Sequence, residues 1–168
     1  MATWSEFVRA APDIAAAGWR LLRADGVAIG YLATVAPGGA PRIAPVCPIF
    51  AGGGVYLSVG GHTPKQVDLF RDGRFALHAP LGPEDEEFRM SGRAVEMTDQ
   101  KQREAVHTAI KFAVYDPSDP VFRLDLERCL HVRWEDSGRP GTRAIRRSWS
   151  ASSGRIRETS WSIARGLE

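Results

Sequence analysis

The chain has 168 residues, 43% hydrophobic and 25% charged, which is ordinary for one globular domain and leaves little room for two. A domain this long buries roughly 70% of the surface its unfolded chain exposes, so it needs no disulfide or metal staple. The net charge of +2 is too small to argue by itself for nucleic-acid binding.

Cys47 and Cys129 lie far apart, outside any CxxC or Cys/His cluster, so a metal site is not expected and two free thiols are. No apolar run approaches the roughly 18–20 residues of a membrane helix. The N-terminus has no basic region followed by an apolar stretch, so a cytoplasmic protein without a membrane anchor is expected.

Thr3-Trp-Ser-Glu6 fits a capping box, with a short helix to follow. Pro12 opens a second helix, whose apolar stripe is Ile14, Ala17, Leu21 and Leu22 and whose end is set by Asp25-Gly26. The two helices are expected to form a cover. From Val27 the pattern turns β. The first strand runs to Val35 and stops at Pro37-Gly38-Gly39. Residues Pro41 to Phe50 give a second strand, which Pro45 and Pro48 confine to an edge or a bulge. After Gly52-Gly53-Gly54 comes a third strand, Val55 to Val59.

Thr63 and Pro64 then open a short helix to Arg71, with Val67 and Leu69-Phe70 expected to face inward. Arg74 to Ala79 and Phe88 to Met97 are the fourth and fifth strands, separated by an acidic loop from Leu81 to Glu87 that is expected to be solvated. A helix capped by Thr98 or Asp99 runs to about Phe112, Asp116 to Pro120 break the chain, and Leu124 to Trp134 hold the sixth strand. Short turns join antiparallel neighbours. The expected fold class is α+β: a six-stranded antiparallel split β-barrel of Greek-key type with flanking helices. Residues 1–135 would form this domain. Residues 136–168 would be an extension, packed on the domain or on a dimer partner. Between Arg139 and Glu168 that extension carries seven arginines against Glu158 and Glu168, together with Trp149 and Trp161.

The informative constellation is strand, turn, strand, turn, strand, then Thr63-Pro-Lys65 and a short helix. A helix N-terminus offers unpaired N–H groups and the positive end of a dipole. Lys65 adds a full charge, Arg42 a bidentate fork, and Ser58 or Ser91 a hydroxyl. These parts suit a phosphate monoester. For Lys65 the plainer alternative is a surface lysine, but a cation at a helix start is disfavoured unless an anion joins it. For Arg42 the alternative is a pair with a neighbouring acid. His62 precedes Lys65 and is the histidine best placed to touch a ligand. His78, His107 and His131 are scattered, and the two that fall in strands, His78 and His131, read as structural.

Pro41-Arg42-Ile-Ala-Pro-Val46, Val55-Tyr-Leu-Ser58, Thr63-Pro-Lys65, Asp68-Leu69 and Glu87-Phe-Arg-Met-Ser-Gly-Arg93 occur in an order that resembles the pyridoxamine 5′-phosphate oxidase-like superfamily of flavin-binding split barrels. The resemblance covers roughly Gly26 to Trp134. It implies a homodimer with flavin mononucleotide (FMN) at the subunit interface. Arg42 and Lys65 would contact the phosphate, and Ile43, Ala44, Pro45, Val46 and Cys47 would run beside the ring. Ser58 and Val59, with His62, would line the site, and the partner copy would contribute from Phe88 to Ser91. The founding oxidase reaction is not implied. Pro64 replaces a basic residue, Cys47-Pro48 stands where the oxidase has lysine, and the oxidase's C-terminal arginine- and tryptophan-rich signature is unmatched. Catalytic residues are not specified, since the flavin carries the redox chemistry. The implied function is an FMN-binding oxidoreductase of unread substrate. Two alternatives stay open: a reductase using the deazaflavin coenzyme F420, with the C-terminal arginines holding its tail, or a non-catalytic flavin store or sensor. Nucleic acid is not expected, because no binding motif accompanies the basic tail.

Overall fold

The computed structural model describes residues 1–23, 26–111 and 115–162. Two helices come first, α1 (Trp4–Ala10) and α2 (Pro12–Leu22), followed by strands β1 (Gly30–Val35), β2 (Pro41–Val46), β3 (Ile49–Ala51) and β4 (Gly54–Ser58). Helix α3 (Pro64–Arg71), β5 (Arg74–His78), a 3-10 turn (Pro83–Asp85) and β6 (Glu87–Glu96) continue the chain. Helix α4 (Gln100–Thr108) precedes β7 (Val121–Glu135), β8 (Arg143–Ser150) and β9 (Ile156–Ser162). The predicted helix ends at Asp25 and Phe112 fall outside the described residues, as do Arg165 and Glu168. Helix α4 itself stops at Thr108, shorter than its sequence suggests.

All pairings are antiparallel, in the order β2-β1-β5-β6-β7-β4-β3. The sheet ends β2 and β3 are not hydrogen-bonded to each other. They are consecutive in the chain and separated only by Cys47-Pro48. One core cluster takes Leu32 from β1 and Val55 and Leu57 from β4, on opposite sides of the sheet order, so the sheet curls around it. This is the α+β split-barrel arrangement. The expected second strand breaks in two at Cys47-Pro48, because proline cannot donate to a ladder, and β2 is an edge as its prolines require.

Nine strands replace the expected six among the described residues. Besides the break at Cys47-Pro48, the tail supplies two. β8 pairs with the second half of β7, and β9 pairs with β8. β9 is exposed along its whole length, so no apolar alternation announces it.

The cover is built as its sequence indicates. Thr3 and Glu6 form the reciprocal capping box. Trp4, Phe7, Ile14, Leu21 and Leu22 are buried in the same core as the sheet. Phe7 meets Trp149 of β8 with ring centroids 5.0 Å apart, which ties the C-terminal hairpin to the first helix. Gly18 faces the ring of Phe88, where a Cβ would come within 2.5 Å.

The acidic loop is not simply solvated. Glu86 accepts two hydrogen bonds from Arg20 at 2.7 Å and lies 2.7 Å from Nε2 of His131. Burial pushes its carboxyl up, but the Arg20 guanidinium and His131 more than offset this and hold it below the ordinary value of 4.5. A carboxyl depressed in the folded state stabilises the fold above its unfolded value, and that contribution is lost as pH falls through the folded value. Urea midpoints should therefore drop as pH falls below about 4.5, and Glu86→Gln should flatten that segment of the profile. An unaltered slope in the variant would show that this trio does not set acid stability.

Candidate functional site

Helix α3 has Thr63 at its N-cap and Pro64 in its first turn. The Thr63 hydroxyl does not cap it; that hydroxyl donates to the Gly60 carbonyl at 3.0 Å. Asp68 and Leu69 form its buried side, whereas Val67 and Phe70 are half exposed. The inward stripe expected from Val67 and Phe70 is thus shifted by one residue, although the Phe70 ring still meets Phe122 at 5.0 Å.

A cleft of about 270 Å³ opens where β2, β4 and the start of α3 converge. Pro45, Val46 and Cys47 form one wall, Ser58 and Lys65 the facing polar side, and Ile110 and Tyr115 close it. Five of the expected ligand residues therefore meet in one place. Burial pushes the Cys47 thiol up, so it presents a neutral wall. Asp119 also reaches this cleft, but its Oδ1 accepts the Gly61 N–H at 3.0 Å.

Arg42 is not in that wall. Its Nε donates to Oδ2 of Asp68 at 2.8 Å, and Thr34 Oγ1 donates to the same oxygen at 2.7 Å. The pairing with an acid noted as the plainer reading is thus present. Burial raises the Asp68 carboxyl, while the Thr34 hydroxyl and the Arg42 guanidinium outweigh that and hold it low. Asp68 stays ionised as a fixed counter-charge. It lies three residues beyond Lys65, on the same side of the helix. The tether therefore keeps the guanidinium of Arg42 beside the helical face that carries Lys65.

The remaining residues are dispersed. Side chains alternate along β2, so Ile43 points away and is 72% exposed, while Ala44 faces with Arg42 and Val46. The Val59 side chain lies in the core and its N–H donates to the Pro120 carbonyl. His62 sits at φ 63° on the loop, outside the cleft, and its N–H donates to Gln66. Ser91 lines a different cleft, on β6.

One group next to the site escapes a sequence reading. The His107 ring stacks on Tyr115 with centroids 4.3 Å apart, and its Nε2 lies 3.5 Å from Ser58 Oγ. Burial and then the Arg103 charge push its pKa down. His107 is thus a neutral prop behind Ser58 and Tyr115. It shares no local motif with either, so nothing short of the fold brings the three together.

No protein-family model and no curated protein sequence matches the chain. Solved structures do. PhzG from Burkholderia lata 383 is similar with a TM-score of 0.60 at 15% identity, over 95% of this chain and 93% of that one. A pyridoxamine 5′-phosphate oxidase-related, FMN-binding protein from Nostoc punctiforme PCC 73102 gives 0.55 at 15% identity, over 92% and 96%. A heme-binding protein from Mycobacterium smegmatis gives 0.57 at 23% identity, over 83% of this chain and 59% of that one. The chain has the split-barrel fold of the pyridoxamine 5′-phosphate oxidase-like proteins. Among the described residues no helix is long and apolar enough to cross a membrane.

Proposed function

We propose that the cleft at Pro45–Cys47, Ser58 and Lys65 is one half of an FMN site, and that two copies of the chain form a flavin-dependent oxidoreductase. The observation that carries this reading is the convergence of an apolar wall, a hydroxyl and a helix-start lysine in one cleft. The donors suit a phosphate and the wall suits a planar ring. Bound flavin would supply the hydride and electron chemistry. Lys65, with its side chain and its own backbone N–H at the start of α3, and the tethered Arg42 would hold the phosphate. Ser58, backed by His107, would add a hydroxyl, and Pro45 to Cys47 would exclude water from one edge of the ring.

The cleft is smaller than the roughly 300–1,000 Å³ usual for small-molecule sites, which supports completion by a second copy. An apolar surface adjoins it. Tyr31 lies opposite Pro45 and Ala33 opposite Ile43 across β1 and β2, and residues directly opposite share a face. Tyr31 on β1 and Ile43 on the edge strand β2 are both exposed, and β2 also forms the cleft wall. Light scattering should find a dimer, and Ile43→Asp should shift it toward monomer and weaken flavin binding together. A monomeric parent protein would remove this part of the reading. Free thiols at Cys47 and Cys129 agree with a cytoplasmic setting.

The test is spectroscopic. The purified protein is titrated with FMN, coenzyme F420 and hemin, following absorbance and fluorescence. Saturable micromolar binding of FMN, followed by turnover with NADH or NADPH, is the expected result. Preference for F420 would transfer the site to the deazaflavin alternative. Binding of hemin alone, or of none of the three, would end the flavin reading.

A further inference from the structure

A second cleft, of about 660 Å³, lies on the outer face of β6, β7, β8 and β9. Its residues follow from the strand register. Arg89, Leu130, Ser148 and Arg157 form one row across the four strands. The next row is Ser91, Arg128 and Ser150, continued by Arg155, whose carbonyl accepts the Ser150 N–H. Arg146 shares the β8 face with Ser148 and Ser150. Five arginines and a set of serine hydroxyls thus surround the apolar side chain of Leu130.

None of these five arginines has an ion pair or a side-chain hydrogen bond among the described residues, and no aspartate or glutamate lines the cleft. Arginines elsewhere are engaged: Arg20, Arg74, Arg123 and Arg143 all sit on carboxylates at 2.7 Å or closer. Clustering like charges without counter-charge costs free energy unless an anion joins them.

We propose that this cleft binds a small molecule carrying two or more linked phosphate groups. The arginines offer planar bidentate donors and the serines single donors, the mix that tetrahedral phosphate oxygens accept. Neighbouring strands lie about 4.8 Å apart, so Arg89 and Arg157 root about 14 Å from each other and long side chains from both can close on one polyphosphate. The positive field is bounded. Glu87, two residues before Arg89 on the same face, lies 3.8 Å from His78 and ends the row of arginines on that side. A long nucleic acid would need the basic track to continue. The cleft shares no residue with the one at Lys65. Arg89 and Ser91, however, lie in the stretch Phe88 to Ser91 that the flavin reading gives to the partner copy, so competition with FMN is the arm of the test that separates the two sites.

Isothermal titration calorimetry tests it, with inorganic phosphate, pyrophosphate, adenosine triphosphate and a series of single-stranded oligonucleotides. The expected result is one pyrophosphate or triphosphate per chain, bound at least about tenfold more tightly than phosphate. Arg128→Ala and Arg157→Ala, on different strands and solvent-facing, should each weaken that binding by about tenfold or more while melting and FMN affinity stay unchanged. Lys65→Ala should leave it intact. Three outcomes overturn the proposal. One is no saturable polyphosphate binding. Another is competition between pyrophosphate and FMN, or loss of both in Arg128→Ala, which would assign the cleft to the flavin site. The last is affinity that grows with oligonucleotide length without preference for the triphosphate.

Discussion

Gly92→Ala is expected to cost more than about 3 kcal/mol of stability and to leave little soluble, folded protein. Gly92 sits inside β6, where the pairing with β7 shifts register between Ser91 and Gly92. Ser91 stands opposite Arg128 and Gly92 opposite Leu126, so Glu127 is the extra residue of a β-bulge. A Cβ on Gly92 would meet the Asp125 carbonyl oxygen at 1.9 Å, with the Asp125 carbonyl carbon and the Glu127 nitrogen at 3.0 Å. All three are backbone atoms, so no rotamer change relieves the overlap. The ladder between β6 and β7 must open instead. These are the two long central strands of the sheet, and the core residues Phe88, Met90 and Leu126 hang from them. Chemical denaturation, or recovery of soluble protein when the variant unfolds irreversibly, measures the loss. A midpoint equal to that of the parent would mean that the bulge lies elsewhere.

The same residue shows how far the sequence carries the fold. A glycine in an otherwise regular strand pattern is a signal for a bulge or a close backbone approach, and Glu87 to Arg93 displays it. Other devices are equally local and equally readable. Thr3 and Glu6 make the capping box, Gly38 and Gly39 take positive φ in the first hairpin, and Gly52 and Gly53 do so in the next. Pro45 lies in β2, which is an edge, and Pro48 lies in the break before β3. What stays hidden is what depends on distant partners. β8 and β9 use Arg and Ser on a solvent face, so hydrophobic period is silent there. Glu86 reads as one acid among several, and only the fold brings it to Arg20 and His131. The site divides in the same way. Lys65, Ser58 and Pro45–Cys47 are legible because a helix start after a turn is a local arrangement. The Asp68 tether on Arg42 and the His107 prop behind Ser58 are not, since each joins separate elements.

That division sets the sharpest test of the flavin reading. Lys65→Ala is expected to weaken FMN binding by about 1.5–3 kcal/mol, roughly 10- to 150-fold, and to leave riboflavin affinity unchanged. The argument rests on position. Lys65 occupies the first turn of α3, where the helix dipole disfavours a cation. The carboxylate that shares its cleft, Asp119, is committed to the Gly61 N–H. Asp68, one turn on, is saturated on Oδ2 by Thr34 and Arg42. Among the described residues the lysine has no ion-pair partner, and a phosphate at the helix start would supply one. Riboflavin carries the same ring without the phosphate, so it separates the grip on the phosphate from packing against Pro45–Cys47. Arg42→Ala should produce the same selective loss, because its Nε alone is consumed by Asp68 and its terminal nitrogens remain as donors. Equal losses for both ligands would place Lys65 at the ring. No loss for either would put the phosphate elsewhere and leave Lys65 a solvated helix-start cation.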